Sequence, residues 1–267
     1  MIYRNHLENG KDLVAMIHLD AMPGTPLGKR SPAEIVKKAV TEARLYKDHG
    51  IRTVMIENMH DVPYVKSAGP EVVATMALAG RAIKDLGLYC GIQILAGCNR
   101  EALGAAHAAG LDFVRVEGYV FGHLADEGLF ESCAGELLRY RTAIGADEIL
   151  VFTDIKKKHS SHAITSDVDI VETARAARFF LSDGVVVTGV STGTTADIAE
   201  LRALKSVPIR KIVGSGLTAK NIRDYLDLAD VFIVGSSLKI DGSWKNPPDP
   251  ERVRGMVDVF FQDSAPS

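Results

Sequence analysis

Apolar and polar positions along this chain fall into eight short apolar runs separated by longer amphipathic stretches. The runs are Val14–His18, Thr53–Glu57, Tyr89–Leu95, Phe113–Glu117, Ile149–Asp154, Val185–Thr188, Arg210–Val213 and Val231–Val234. Most are continuous apolar segments of strand length, as expected of parallel strands covered on both faces. The stretches between them carry helix punctuation. Ser31-Pro32-Ala33-Glu34 reads as a capping box with proline at the first helical position, and Gly50 stops that helix after His49. Asn99 is placed to cap a helix ending at Gly110, Ser166 one ending near Asp183-Gly184, and Thr194 one with Asp197 in its first turn. Eight strand-helix alternations predict an α/β fold, a single (β/α)8 TIM barrel over residues 1–267. An open doubly wound sheet is the competing arrangement, because alternation alone does not require closure.

The last two runs each lead into a turn of small residues. Gly214-Ser215-Gly216-Leu217-Thr218 follows the seventh, and Gly235-Ser236-Ser237-Leu238-Lys239 follows the eighth. Small side chains let backbone N–H groups approach an anion, and a helix starting near Thr218 would aim further N–H groups at the same place. The loops after strands 7 and 8 are a frequent phosphate site in this barrel. The predicted phosphate-binding residues are therefore Gly214, Ser215, Gly216, Gly235, Ser236 and Ser237, with Ser191, Thr192 and Gly193 as a third wall. A single such turn would read as a tight strand-to-helix connection; the adjacent pair favours a ligand.

Catalytic groups in this architecture lie where strands end, and these ends are rich in ionisable residues. They carry His18-Leu19-Asp20, Glu57-Asn58, Gln93, Arg115-Val116-Glu117, Asp154-Ile155-Lys156-Lys157-Lys158-His159 and Thr188-Gly189. If the fifth strand continued extended, Asp154, Lys156 and Lys158 would share one side, with Lys157 and His159 on the other. The candidate catalytic residues are thus Asp154, Lys156, Lys158, Glu117, Glu57 and His18. Asp154 or Glu117 would transfer protons while Lys156 or Lys158 stabilises negative charge, although consecutive lysines usually face water. His18, Asp20, Glu57 and Asp154 could ligate a divalent cation, but no compact metal spacing is present, so neither metal nor cofactor is assigned. His49 and His107 fall on helices and read as surface or packing residues; His60, His123 and His162 fall in loops.

Composition narrows the alternatives. At 46% hydrophobic and 24% charged residues, the 267-residue chain has material for one large core, and no linker divides it. A net charge of -3 argues against a nucleic-acid surface. Cys90, Cys98 and Cys133 lack zinc-type pairing and read as reduced structural thiols. No apolar stretch approaches a membrane span and no signal-type segment opens the chain, so a cytoplasmic protein is expected. The long connection from Gly118 to Ser132, carrying Tyr119, Val120, Phe121, Leu124, Leu129 and Phe130, is expected to form a lid or a contact in a homo-oligomer.

The segment Met16-Ile17-His18-Leu19-Asp20-Ala21-Met22-Pro23-Gly24-Thr25-Pro26 resembles the opening signature of the BtpA family, also called the BtpA/SgcQ family. The resemblance continues through Asp126-Glu127-Gly128-Leu129, Glu136-Leu137-Leu138-Arg139-Tyr140-Arg141, Asp154 to His159, both glycine-serine turns, Asp241-Gly242 and Trp244. Glu127 stands where the family more often has Gln, and Lys157 where it has an apolar residue. The resemblance implies a barrel enzyme similar to those handling phosphorylated sugars, nucleotides or ring precursors. The reaction class would be an isomerase, a lyase or a glycosyl-bond-cleaving enzyme. One member's name is associated with photosystem I biogenesis, which implies the alternative of a non-catalytic assembly or stability factor for a photosynthetic complex.

Overall fold

The computed structural model describes residues 3–8, 10–157, 159–189 and 195–262. Lys158, Ser191, Thr192, Gly193 and Thr194 lie outside the described residues. The strands, in chain order, are β1 (Asp12–His18), β2 (Thr53–Glu57), β3 (Tyr89–Gln93), β4 (Phe113–Val116), β5 (His123–Ala125), β6 (Gly128–Phe130), β7 (Leu150–Asp154), β8 (Ser160–Ser161), β9 (Gly184–Val187), β10 (Arg210–Val213) and β11 (Val231–Val234). The helices are α1 (Tyr3–Glu8), α2 (Pro32–Asp48), α3 (Pro70–Lys84), α4 (Asn99–Ala109), α5 (Ala134–Ala143), α6 (Ile170–Phe179), α7 (Ile198–Ala203) and α8 (Pro250–Gln262).

Eight of the strands close into a parallel barrel in the order β1-β2-β3-β4-β7-β9-β10-β11, with β11 returning to β1 through Asp12↔Val231 to Ala15↔Val234. Closure settles the choice against an open sheet. All eight barrel strands coincide with the apolar runs to within two residues at either end.

Strand alternation divides the apolar side chains into two sets. One faces the helices; the other fills the barrel and includes Val14, Met16, Met55, Phe113, Phe152, Val186, Ile212 and Ile233. Below them α1 inserts Tyr3, whose hydroxyl donates to Asp12 Oδ2 at 2.7 Å and whose ring packs 5.1 Å from that of Phe113. This plug had no counterpart in the sequence reading.

The capping box forms as expected: Ser31 Oγ accepts from Glu34 N, and Glu34 Oε2 accepts from Ser31 N at 2.8 Å. Other ends differ from expectation. Asp169, not Ser166, caps α6, which stops at Phe179. Cys98 precedes α4, and Asn99 instead bonds the backbone at Glu117, donating to its carbonyl at 2.6 Å and accepting from its N–H at 3.2 Å. Asp197 is itself the cap of α7. No α-helix begins at Thr218; the chain makes a turn and then a 3-10 segment, Ile222–Tyr225. Asn221 Oδ1 takes the Thr218 N–H at 2.8 Å, and Thr218 Oγ1 accepts from Lys220 N, capping this short segment.

The Gly118 to Ser132 connection folds into the hairpin β5–β6, which β8 extends to a three-stranded antiparallel sheet. Among the described residues, no helix is long and apolar enough to cross a membrane.

Candidate functional site

Two residues beyond each interior apolar position, alternation returns a side chain to the barrel axis. The pairs are Met16 and His18, Met55 and Glu57, Gly91 and Gln93, Phe113 and Arg115, Phe152 and Asp154, Val186 and Thr188, Ile212 and Gly214, Ile233 and Gly235, with Glu117 two residues beyond Arg115. The upper member of each pair sits at the C-terminal end of its strand. Register makes three of them neighbours, His18 beside Glu57 and Glu57 beside Gln93.

Above this layer lies a cavity of about 470 Å³. Its wall includes His18, Glu57, Gln93, Arg115, Glu117 and Lys157 together with both glycine-serine turns, Gly214 to Thr218 and Gly235 to Ser237. The turns are tied to each other by Ser237 Oγ donating to the Leu217 carbonyl at 2.7 Å. A methyl at Gly214 would lie 2.5 Å from Val186 Cγ1 and 3.4 Å from Arg115 Nη2, so only glycine fits there. At Gly235 it would meet His18 Cε1 at 3.3 Å. Gly216 has φ +73°, a left-handed conformation that L side chains rarely take. Beneath the second turn, buried Lys239 donates to Glu42 Oε2 of α2 at 2.6 Å, fastening turn to helix.

The charged residues form two interlocked pairs. Arg115 Nε and Nη2 donate to Asp154 Oδ2 and Oδ1 at 2.9 and 2.8 Å. Burial opposes the Arg115 charge, but Asp154, Glu57 and Glu117 outweigh it and hold the guanidinium protonated. Glu117 Oε2 accepts from Lys157 Nζ at 2.9 Å, and its Oε1 from Gln93 Nε2 at 3.0 Å. Burial pushes the Glu117 carboxyl above its ordinary range, against the pull of Lys157. A buried carboxyl with a raised pKa, held between a cation and an amide, can carry a proton in either direction.

Lys156 is not brought to this cavity. Its backbone turns to φ +47°, and its Nζ donates to the Thr165 carbonyl at 3.0 Å beside a separate small pocket under the hairpin. Beyond the end of β7 it is Lys157 and His159, set on the opposite side from Asp154 and Lys156 by the sequence reading, that line the cavity. Asp154 borders the same small pocket, with its carboxylate turned to Arg115.

The four candidate metal ligands do not converge. Asp20 is held by Arg30 at 2.9 Å and Lys38 at 2.5 Å, Asp154 by Arg115, and only His18 and Glu57 approach each other, at 3.9 Å. Among the described residues no group of three or more His, Cys, Asp or Glu is arranged to hold a metal. Burial raises all three cysteine thiols, Cys133 to about 11 and Cys98 to about 12, so they stay protonated and unreactive near neutral pH.

Several wall residues escaped the sequence reading. Trp244 sets its ring edge-on to His18 at 5.9 Å and against His60 at 4.7 Å, closing the side between β11 and β2. Tyr64 and Arg252 line the cavity from loop and helix, and Asp126 and Glu127 from the tip of the β5–β6 hairpin. The available signals were the resemblance motifs, which contain Asp126, Glu127 and Trp244, the sole tryptophan.

Fold and site together define a (β/α)8 barrel with a cavity bordered by ionisable residues at the C-terminal ends of its strands. The chain belongs to the BtpA family, whose model matches residues 9–261. It is 48% identical over 256 residues to F13E9.13 of Caenorhabditis elegans, covering 92% of each chain. That relative is described as mitochondrial, in contrast to the cytoplasmic location expected from sequence. Identity is 29% over 256 residues to the photosystem I biogenesis protein BtpA of Synechocystis, covering 94% of this chain and 88% of that one. Among solved structures, KGPDC from Streptococcus mutans superposes with a TM-score of 0.59 at 12% identity, covering 95% of this chain and 98% of that one. For 3-hexulose-6-phosphate synthase the TM-score is 0.56 at 16% identity, covering 93% and 99%. At these identities the superpositions establish the shared fold.

Proposed function

We propose that this protein is an enzyme acting on a small phosphorylated metabolite, a sugar phosphate or a nucleotide-like compound. The observation that carries the reading is that both glycine-serine turns and the buried Glu117–Lys157 pair line one cavity. The phosphate docks at Gly214 to Gly216 and Gly235 to Ser237, where small residues and one left-handed glycine expose backbone to an anion. The Arg115 guanidinium, paired with Asp154, lies beside Gly214 and fixes that turn's floor. Anchored there, the reacting carbons lie under the wall formed by His18, Glu57, Gln93 and Glu117. Glu117 takes or returns a proton, and Lys157 stabilises the negative charge that develops. This machinery suits an isomerase, a lyase or cleavage of a glycosyl bond. A solved structural neighbour, 3-hexulose-6-phosphate synthase, supports the substrate class by analogy of fold.

The Synechocystis relative's name favours a second reading, a non-catalytic assembly factor for a photosynthetic complex. Relatives in Caenorhabditis elegans and, at 32% identity, Pyrococcus abyssi, neither of them photosynthetic, favour the enzyme. Mass spectrometry of small molecules retained by the purified protein separates the two. A phosphorylated metabolite that is lost from a Gly216→Val variant supports the enzyme. No retained or added phosphate compound in either protein counts against it.

A further inference from the structure

We infer that the cavity takes a polyhydroxylated phosphate ester without a carboxylate, and that Gln93 reads its hydroxyl groups. The inference rests on the phosphate seat proposed above and narrows what the other end of the ligand must be.

Gln93 is 2% exposed and borders the cavity. Its Nε2 is spent on Glu117 Oε1 at 3.0 Å, while its Oε1 accepts from no described residue. A buried acceptor without a donor is costly, and a ligand O–H placed against it removes the cost. The surroundings ask for the same chemistry. Glu57 is its register neighbour on β2, and Asp126 and Glu127 face the cavity from the hairpin. These carboxylates are acceptors when ionised. Of the wall's cations, Arg252 pairs with Asp249 at 3.5 Å, and the other two are already engaged, Arg115 by Asp154 and Lys157 by Glu117.

A ligand carboxylate here would meet like charge with no unengaged partner among those two cations. Hydroxyl groups instead supply the donors that this wall lacks. Trp244, also on the wall, offers an apolar face to the C–H side of such a polyol.

Calorimetric titration of the full-length protein tests this with inorganic phosphate, 2-phosphoglycolate and a panel of D-ribose 5-phosphate, D-fructose 6-phosphate and D-glucose 6-phosphate. At least one sugar phosphate is expected to bind about ten-fold or more tighter than inorganic phosphate, the gain from a few well-placed hydrogen bonds. Phosphoglycolate is expected to bind no tighter than phosphate. In Gln93→Met, which keeps chain length but deletes both the acceptor and the donor to Glu117, the advantage of that sugar phosphate over phosphate should shrink about ten-fold. If the variant does not fold, the wild-type ranking still decides.

Phosphate binding with no gain from any sugar, or with phosphoglycolate preferred, overturns the inference and leaves the phosphate seat standing. Failure of every phosphate compound to bind overturns both.

Discussion

Arg115 and Asp154 hold each other through two hydrogen bonds of 2.9 and 2.8 Å inside the barrel, both side chains almost fully buried. The pair links β4 to β7 and keeps the guanidinium within 3.4 Å of where a Gly214 side chain would begin. Asp154 thereby acts on the cavity through the position and charge of Arg115.

Asp154→Ala should therefore cost both stability and ligand binding. It strands a buried guanidinium, which typically costs about 3–5 kcal/mol. Urea denaturation should report a loss of that order, and phosphate affinity should change with it. A variant that loses turnover while keeping wild-type stability would return Asp154 to a direct chemical role.

Gly216 offers a cleaner probe of the phosphate seat. A β-branched residue at φ +73° is strained by about 1–2 kcal/mol, which a chain of this size absorbs as a fall of several degrees in Tm. Gly216→Val should lower affinity for inorganic phosphate at least ten-fold in a calorimetric titration while circular dichroism stays native. Unchanged affinity would remove the first turn from the site.

The raised Glu117 pKa predicts a pH profile. As a base, Glu117 works only when ionised, so kcat/KM should fall as pH drops through a value above its ordinary 4.5. The sign for stability follows from the same shift. The folded state holds this proton more tightly than the unfolded chain, so the contribution of Glu117 is full below the ordinary glutamate range and is lost as pH rises through its raised value. Glu117→Gln should abolish the acid limb and cut kcat by about 10² or more. An acid limb that survives this substitution would assign the proton transfer elsewhere.

The β5–β6 hairpin packs against itself and leaves an apolar pair exposed. His123 stacks on Phe130 at 5.0 Å and 2°, burial lowers the His123 pKa to about 4, and Lys66 Nζ donates to the Leu129 carbonyl at 3.0 Å. Leu124 and Leu129, paired across the hairpin, remain exposed. Hydrogen exchange at residues 123–130 should slow with added sugar phosphate if the hairpin closes, or with protein concentration if it docks against a second copy. Exchange indifferent to both would exclude lid and contact alike.

The Lys239–Glu42 pair should prove essential to the second turn. Glu42→Gln leaves a buried ammonium without its counter-charge, at a cost of about 3–5 kcal/mol and, at 2–4 °C for each, a Tm fall of roughly 6 °C or more. A thermal melt checks it, and a shift of a degree or less would mean that Lys239 sheds its proton instead, the direction in which burial already pushes it.

The barrel strands and the two small-residue turns were legible in the sequence because they depend on local facts. A continuous apolar run reports burial on both faces, Ser31 and Glu34 cap their own helix, and Gly216 needs its left-handed turn whatever surrounds it. Closure into a barrel and the facing of His18, Glu57, Gln93 and Glu117 came from tertiary structure, through strand pairing across the whole chain. So did the exchange of Lys156 for Lys157. Alternation set Lys156 and Lys157 on opposite sides, and which side met the cavity was decided by the tertiary structure, where Lys157 pairs with Glu117 and Lys156 donates to the Thr165 carbonyl. The helix expected at Thr218 gives only a turn and a 3-10 segment, although Thr218 and Asn221 cap it reciprocally.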